Sequence, residues 1–179
     1  MPSRALLTES QTIPAADITQ ALANIGIARV ALGSDVTRTS TTTMTNTGLT
    51  ALTVSLAQSS RYRLTYRLYA SGDNGFQIGF TFPSALPTFD GSALLKDNIA
   101  GTGLYIYKDW PGNGFASGDA VQDAGADTGQ NGGQTFVADI LTGSTANTFG
   151  DFAVVFAQSS SGATASTMSK NSSVEVLKY

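Results

Sequence analysis

The most regular feature of this sequence is the run RYRLTYRLY at residues 61–69, in which polar and apolar side chains alternate strictly. Its apolar members are Tyr62, Leu64, Tyr66 and Leu68. Successive side chains of a β-strand point to opposite faces, so a period of two predicts a strand with one buried and one exposed face. A helix would scatter the same residues around its whole surface.

The same period recurs after residue 27, in the runs LTVSL, GFQIGFTFP, TFVADIL, DFAVVFA and SSVEVLKY. Pro83 ends the second of these runs because proline cannot donate to a β-ladder. The turn-forming run SGDNG separates RYRLTYRLY from GFQIGFTFP and predicts a hairpin between them. Seven or eight short strands predict an all-β fold, an antiparallel β-sandwich or jelly roll, over residues 28–179.

Residues 1–27 have a different pattern and are predicted to form an N-terminal arm. Within residues 12–26, Ile18, Leu22 and Ile25 recur at helical spacing and predict a short amphipathic helix. A helix of about three turns is marginal alone, so its apolar stripe needs a surface to lie on. We therefore predict that these three residues contact a partner or this protein's own core.

Residues 84–133 are less regular and predict either a long loop or a β-excursion around one strand, GLYIYKDW. Asp119, Asp123 and Asp127 recur there at a spacing of four, and their oxygen ligands could suit calcium. The spacing matches no EF-hand loop, so a solvated, mobile loop is the favoured interpretation and no metal is predicted.

The aromatic cluster in YIYKDW comprises Tyr105, Tyr107 and Trp110. Aromatic faces with polar tips suit carbohydrate, so the cluster could form a sugar-stacking platform. The alternative, which we favour, is that these residues belong to the core and its rim.

The composition argues against several classes of function. The chain of 179 residues contains no Cys and no His, which excludes the usual zinc sites, the Ser-His-Asp triad and the Cys-His pair. A two-carboxylate hydrolase would need a suitable acid pair, but the only glutamates are Glu9 and Glu175, and most aspartates lie in turn-like contexts. We therefore predict a protein that is not an enzyme and needs no cofactor.

The charge content bears on partners. The net charge is −3 and only 13% of residues are charged, so long-range attraction to a phosphate backbone is weak and nucleic acid is not an expected partner. No apolar run is long enough to span a membrane or to act as an export signal. The expected protein is soluble and carries a polar surface suited to a fixed assembly.

Arg61, Arg63 and Arg67 share the exposed face of the first alternating run. They could form a basic stripe for an anionic partner. The alternative pairs them with carboxylates on a neighbouring strand or across a subunit boundary, where each pair contributes about 0.2–1 kcal/mol. The acidic net charge favours the second interpretation, and all three are candidate partner contacts.

The tetrapeptide Ala-Gln-Ser-Ser occurs twice, at residues 57–60 and 157–160, each time after an apolar alternating run. It predicts strand ends at which small hydroxyl side chains satisfy backbone groups in a turn. Chance repetition in a serine-rich chain is the alternative.

Two long stretches resemble a β-sandwich module of tailed-bacteriophage virion proteins, including head-decoration and fibre proteins. The likeness covers residues 28–82 and 134–179, while residues 84–133 are longer than in the module. It lies in the threonine-rich lead-in TSTTTMTNTGLT, the aromatic strand after it, the phenylalanine strand ending in proline, and a closing pattern. The closing pattern comprises Gln158, Ala163, Thr164, Ser172 or Ser173, Glu175 and Val176.

The resemblance implies a non-enzymatic, trimeric structural module on a phage particle, made in the host cytoplasm. The expected function is that of a capsid decoration, or cement, protein bound to the major capsid protein. The alternative is a receptor-binding tail or fibre module whose residues 84–133 touch a host glycan. A carbohydrate-active enzyme ranks last.

Overall fold

The computed structural model describes residues 27–73, 75–97, 104–110, 117, 120–124 and 132–179. Regular structure in this part of the chain comprises twelve strands and one 3-10 turn, Thr50–Leu52. The strands are β1 (Ile27–Ala31), β2 (Val36–Arg38), β3 (Val54–Leu56), β4 (Arg61–Gly72), β5 (Phe76–Thr81), β6 (Thr88–Asp97), β7 (Leu104–Trp110), β8 (Ala120–Ala124), β9 (Gly132–Leu141), β10 (Gly150–Ala157), β11 (Ser166–Met168) and β12 (Ser173–Lys178).

The strands form two antiparallel sheets. The larger has eight strands in the order β1-β12-β4-β9-β6-β7, with β11 pairing the far end of β4 and β2 pairing β11. The smaller has the order β3-β10-β5-β8. The sheets pack face to face, which confirms the predicted all-β antiparallel sandwich. The predicted helix within residues 12–26 lies outside the described residues.

The alternation in the sequence corresponds to the two faces of each sheet. On β4, Tyr62, Leu64, Tyr66 and Leu68 are buried, whereas the three arginines are exposed. On β5, Phe76, Ile78 and Phe80 are buried, and on β9 the same holds for Phe136 and Ile140. The side-chain directions predicted for these runs are therefore confirmed.

An aromatic cluster joins the two sheets. Tyr66 from the larger sheet lies 5.0 Å from Phe80 of the smaller sheet, measured between ring centroids. Phe80 in turn stacks on Phe136 of β9 at 4.2 Å. Phe152 of β10 is fully buried beside them, with ring centroids 5.4 Å from Phe80 and 6.0 Å from Tyr66. These rings fill the space between the layers and hold the sheets in one relative position.

The predicted hairpin between β4 and β5 is wrong. β4 pairs with β9, β12 and β11, whereas β5 pairs with β10 and β8 in the other sheet. Both strands carry a strongly apolar face, and in this fold the two faces cover one another across the core. The turn at Gly75, with φ +67°, therefore carries the chain from one sheet to the other. Ser166 secures it by donating to the Gly75 carbonyl at 2.6 Å.

The expected number of strands, seven or eight, is also wrong. β2 and β11 have three residues each, too few to display an alternation in sequence. Between residues 84 and 133 the structure contains β6, β7 and β8, so the β-excursion is confirmed and the purely loop-like alternative is wrong for residues 120–124.

Both Ala-Gln-Ser-Ser segments lie at strand ends, as predicted. The first joins β3 to β4, and there the Ser60 hydroxyl donates to the Gln58 carbonyl at 3.0 Å. The second follows β10, and there the buried Gln158 amide satisfies the backbone, accepting from the Thr41 N–H at 3.1 Å and donating to the Thr164 carbonyl at 2.7 Å.

We expect Phe152→Ala to lower the free energy of unfolding by about 3–5 kcal/mol, because it empties the centre of the aromatic cluster. Phe149→Ala is the matched control, since Phe149 lies just before the same strand but is 36% exposed. Urea denaturation measures both. Equal losses in the two variants would contradict the central role of Phe152.

Burial raises the pKa of the Tyr66 phenol well above its ordinary value. The unfolded chain therefore loses this proton first, and the free energy of unfolding should fall as the pH rises above about 10, by up to about 1.4 kcal/mol per pH unit. Tyr66→Phe should remove this part of the alkaline destabilisation. The check is urea denaturation at several pH values, and identical slopes for both proteins would refute the assignment.

Candidate functional site

The predicted arginines lie on the exposed outer face of the larger sheet. β4 runs through the middle of this sheet, with β12 on one side and β9 on the other. Arg61, Arg63 and Arg67 occupy alternate positions of β4 and point away from the core. The structure therefore places all three on one surface, as the sequence predicts.

Arg63 forms a cross-strand ion pair. Its Nη2 lies 2.9 Å from Oδ2 of Asp139, which is directly opposite on β9. This hydrogen bond and the carboxylate charge raise the Arg63 pKa, so the guanidinium stays protonated. The cross-strand interpretation is confirmed for Arg63.

The other two arginines have different surroundings. Arg61 lies opposite Leu141 on β9, and Arg67 lies between Thr135 on β9 and Ser173 on β12. Within the described part of the chain, neither guanidinium forms an ion pair. Of the three arginines, Arg63 is therefore the one with an ion pair among the described residues.

A groove of about 450 Å³ lies at the end of the sheet where β4 begins. Four of its lining residues form a row across neighbouring strands. Arg61 is opposite Leu141, Leu141 is opposite Thr88 on β6, and the Tyr179 N–H donates to the Arg61 carbonyl at 3.0 Å. The remaining lining residues are Tyr62, Asp139 and Ile140.

Strand β1 forms one edge of the larger sheet. The Leu32 N–H donates to the Ser172 carbonyl, and hydrogen-bonded pairs alternate along an antiparallel ladder. Ala28 and Val30 therefore bond to β12, whereas the N–H and C=O groups of Arg29 and Ala31 point outward. No described strand pairs with this outer side. Val30 is also 45% exposed, so the smaller sheet does not cover the core face of β1.

Several predicted site residues are not settled by the structure. Ile18, Leu22 and Ile25 lie outside the described residues. Tyr105, Tyr107 and Trp110 lie on β7, but their side chains are outside the described part of the chain. Asp123 lies on β8, while Asp119 and Asp127 are again outside it. The described residues contain no group of three or more potential metal ligands.

Sequence reasoning missed the groove and the open edge. Thr88 and Tyr179 lie far from Arg61 in the sequence, and only the strand register places them in one row. The edge position of β1 likewise depends on the order of strands in the sheet. The alternation predicts which face a residue occupies but not which strand lies beside it.

No protein-family model matches this chain, and neither a curated protein nor a solved structure matches it. None of the helical structure within the described ranges could cross a membrane.

The Arg63–Asp139 pair should contribute little on its own, because the two side chains are 51% and 47% exposed. A double-mutant cycle with Arg63→Gln and Asp139→Asn should give a coupling energy below about 1 kcal/mol. Arg63→Gln should lower the free energy of unfolding more than Asp139→Asn does. The reason is that Asp90 on β6 lies opposite Asp139, so Arg63→Gln leaves two carboxylates facing each other. Chemical denaturation tests this, and a larger loss for Asp139→Asn would contradict it.

Proposed function

We propose that this chain is a virion structural protein, namely a trimeric decoration protein on the head of a tailed phage. In this proposal the sandwich lies on the capsid surface and is made in the host cytoplasm. The arm, residues 1–27, and the edge strand β1 attach it to the major capsid protein and bridge neighbouring capsid subunits. The sequence resemblance to virion modules supports this context.

The observation that carries the proposal is the open edge of β1. No strand of the described residues pairs with the outward N–H and C=O groups of Arg29 and Ala31, and such an edge accepts a strand from another chain. Natural sheets commonly protect such edges with a bulge, a proline or an inward-pointing charge. β1 has no proline and no charged residue on its core face, where Val30 is half exposed. The edge therefore suits an added strand that extends the larger sheet and covers Val30.

The position of the edge also supports the proposal. The arm joins the sandwich at Ile27, the first residue of β1. A segment that gains its apolar burial only on docking, through Ile18, Leu22 and Ile25, would then bind next to the edge. Two adjacent weak contacts, repeated around a symmetric shell, give strong attachment through their effective concentration.

The test uses an antibody to this chain and negative-stain images of particles from the source virus. Label over the heads supports a decoration protein. Label confined to tails supports the receptor-binding alternative, and unlabelled particles contradict a virion role. The trimer is tested separately by light scattering, which should give three times the chain mass of 18.5 kDa. A monomer at micromolar concentration would contradict it.

Two variants test how the chain attaches. Deletion of residues 1–26 should weaken co-sedimentation with heads while leaving the circular dichroism of the sandwich unchanged. Arg29→Pro removes an outward N–H, so it should block strand addition at the edge without breaking a backbone hydrogen bond to β12. It also removes the Arg29 side chain, which donates to Ser173 Oγ at 3.5 Å. Arg29→Ala is the matched control, because it removes the side chain and keeps the N–H. Undiminished attachment of both the deletion and Arg29→Pro would refute this mode of binding.

A further inference from the structure

We infer that the groove beside Arg61 binds a sugar that carries a carboxylate, such as a uronic-acid unit of an acidic polysaccharide. This inference goes beyond the proposed function and does not depend on it. It rests on three properties of the groove: an uncompensated cation, an exposed aromatic ring and an apolar floor with polar groups at its sides.

The cation is Arg61. Arg63 next to it on the same face is already paired with Asp139 at 2.9 Å. The Arg61 guanidinium forms no ion pair or hydrogen bond with another described residue, and Arg61 is one of the residues that line the groove. A planar guanidinium with free donors binds a carboxylate through two parallel hydrogen bonds. The groove therefore favours a ligand with one negative charge.

The aromatic ring is Tyr179. It is 66% exposed, the largest exposure among the large hydrophobic side chains of the described residues. Its backbone is paired with Arg61, so the two side chains lie on the same face of the sheet, next to each other. An exposed ring with a polar tip suits the C–H face of a pyranose, whose hydroxyl groups lie at its edge. A simple anion would gain nothing from this ring.

The floor and sides of the groove offer the apolar and polar groups that a sugar would contact. The apolar floor is Leu141, which is partly buried between Arg61 and Thr88. Ile140 and Tyr62 also border the groove, but their side chains are buried and face the core. The Thr88 hydroxyl can donate and accept, and Oδ1 of Asp139 is an acceptor beside the oxygen that binds Arg63. Four neighbouring strands spaced about 4.8 Å apart make the row about 14 Å wide, which exceeds the width of a single sugar ring. An apolar surface edged by a few polar groups is typical of a ligand site.

The test is a titration of the full chain with D-glucuronate, followed by backbone amide chemical shifts. We expect millimolar binding, with shifts concentrated at Arg61, Thr88 and Tyr179. Glucose tests the role of the charge, and acetate tests the role of the ring. Each should bind at least about tenfold more weakly than glucuronate, since each lacks one of the two main contacts.

Matched variants test the residues. Arg61→Gln should weaken glucuronate binding by about tenfold or more, whereas Arg67→Gln, an exposed arginine of the same strand face outside the groove, should not. Tyr179→Ala should weaken binding several-fold, whereas Tyr69→Ala, which removes an exposed ring on β4 outside the groove, should not. All four positions are exposed, so the fold should persist, and circular dichroism checks this.

Three results would overturn the inference. The first is the absence of amide shifts around the groove at millimolar glucuronate. The second is an equal effect of Arg61→Gln and Arg67→Gln, which would indicate a general response to charge. The third is equal affinity for acetate and glucuronate, which would indicate a site for small anions and not for a sugar. None of these results bears on where the protein lies on a virion, so this inference and the proposed function fail separately.

Discussion

The packing of two apolar strand faces against each other is the constraint on which the rest of this structure depends. β4 and β5 each carry an alternating row of large apolar side chains, and only a short turn joins them. Side by side in one sheet, the two rows would lie on the same face and still need a second layer. Placed in opposite sheets they cover each other, and the contact of Tyr66 with Phe80 begins the aromatic cluster between the layers. This contact lies between the eight-stranded sheet, which contains β4, and the four-stranded sheet, which contains β5.

The outer face of the larger sheet follows from the same packing. Because Tyr62, Leu64 and Tyr66 point inward, Arg61 and Arg63 must point outward. The strand register then decides what each arginine meets. Arg63 lies opposite the carboxylate of Asp139 on β9. Arg61, two residues away, lies opposite Leu141, and its carbonyl accepts a hydrogen bond from the Tyr179 N–H. Two chemically identical residues on one strand therefore have different roles, one in a cross-strand ion pair and one in a groove.

The two candidate binding features lie at different places on the sandwich and suit different partners. The edge of β1 offers backbone hydrogen bonds and a half-exposed valine, which suit another polypeptide chain. The groove offers a cation, a ring and hydroxyl groups, which suit a small polar ligand. The fold separates them because the edge lies on the first strand in the sheet order and the groove at the end of its central strands.

The sequence by itself determined the fold class and the direction of most side chains. Period-two alternation is a local property of the chain, and burying one face of each strand follows directly from it. The exposure of Arg61 and the burial of Phe152 could therefore be predicted without a structure. Strand neighbours and register are not local, because they depend on which apolar faces cover one another and where the ladders align. Only the tertiary structure could decide that β4 and β5 lie in different sheets, that Arg63 meets Asp139, and that Tyr179 and Thr88 lie beside Arg61 in one groove.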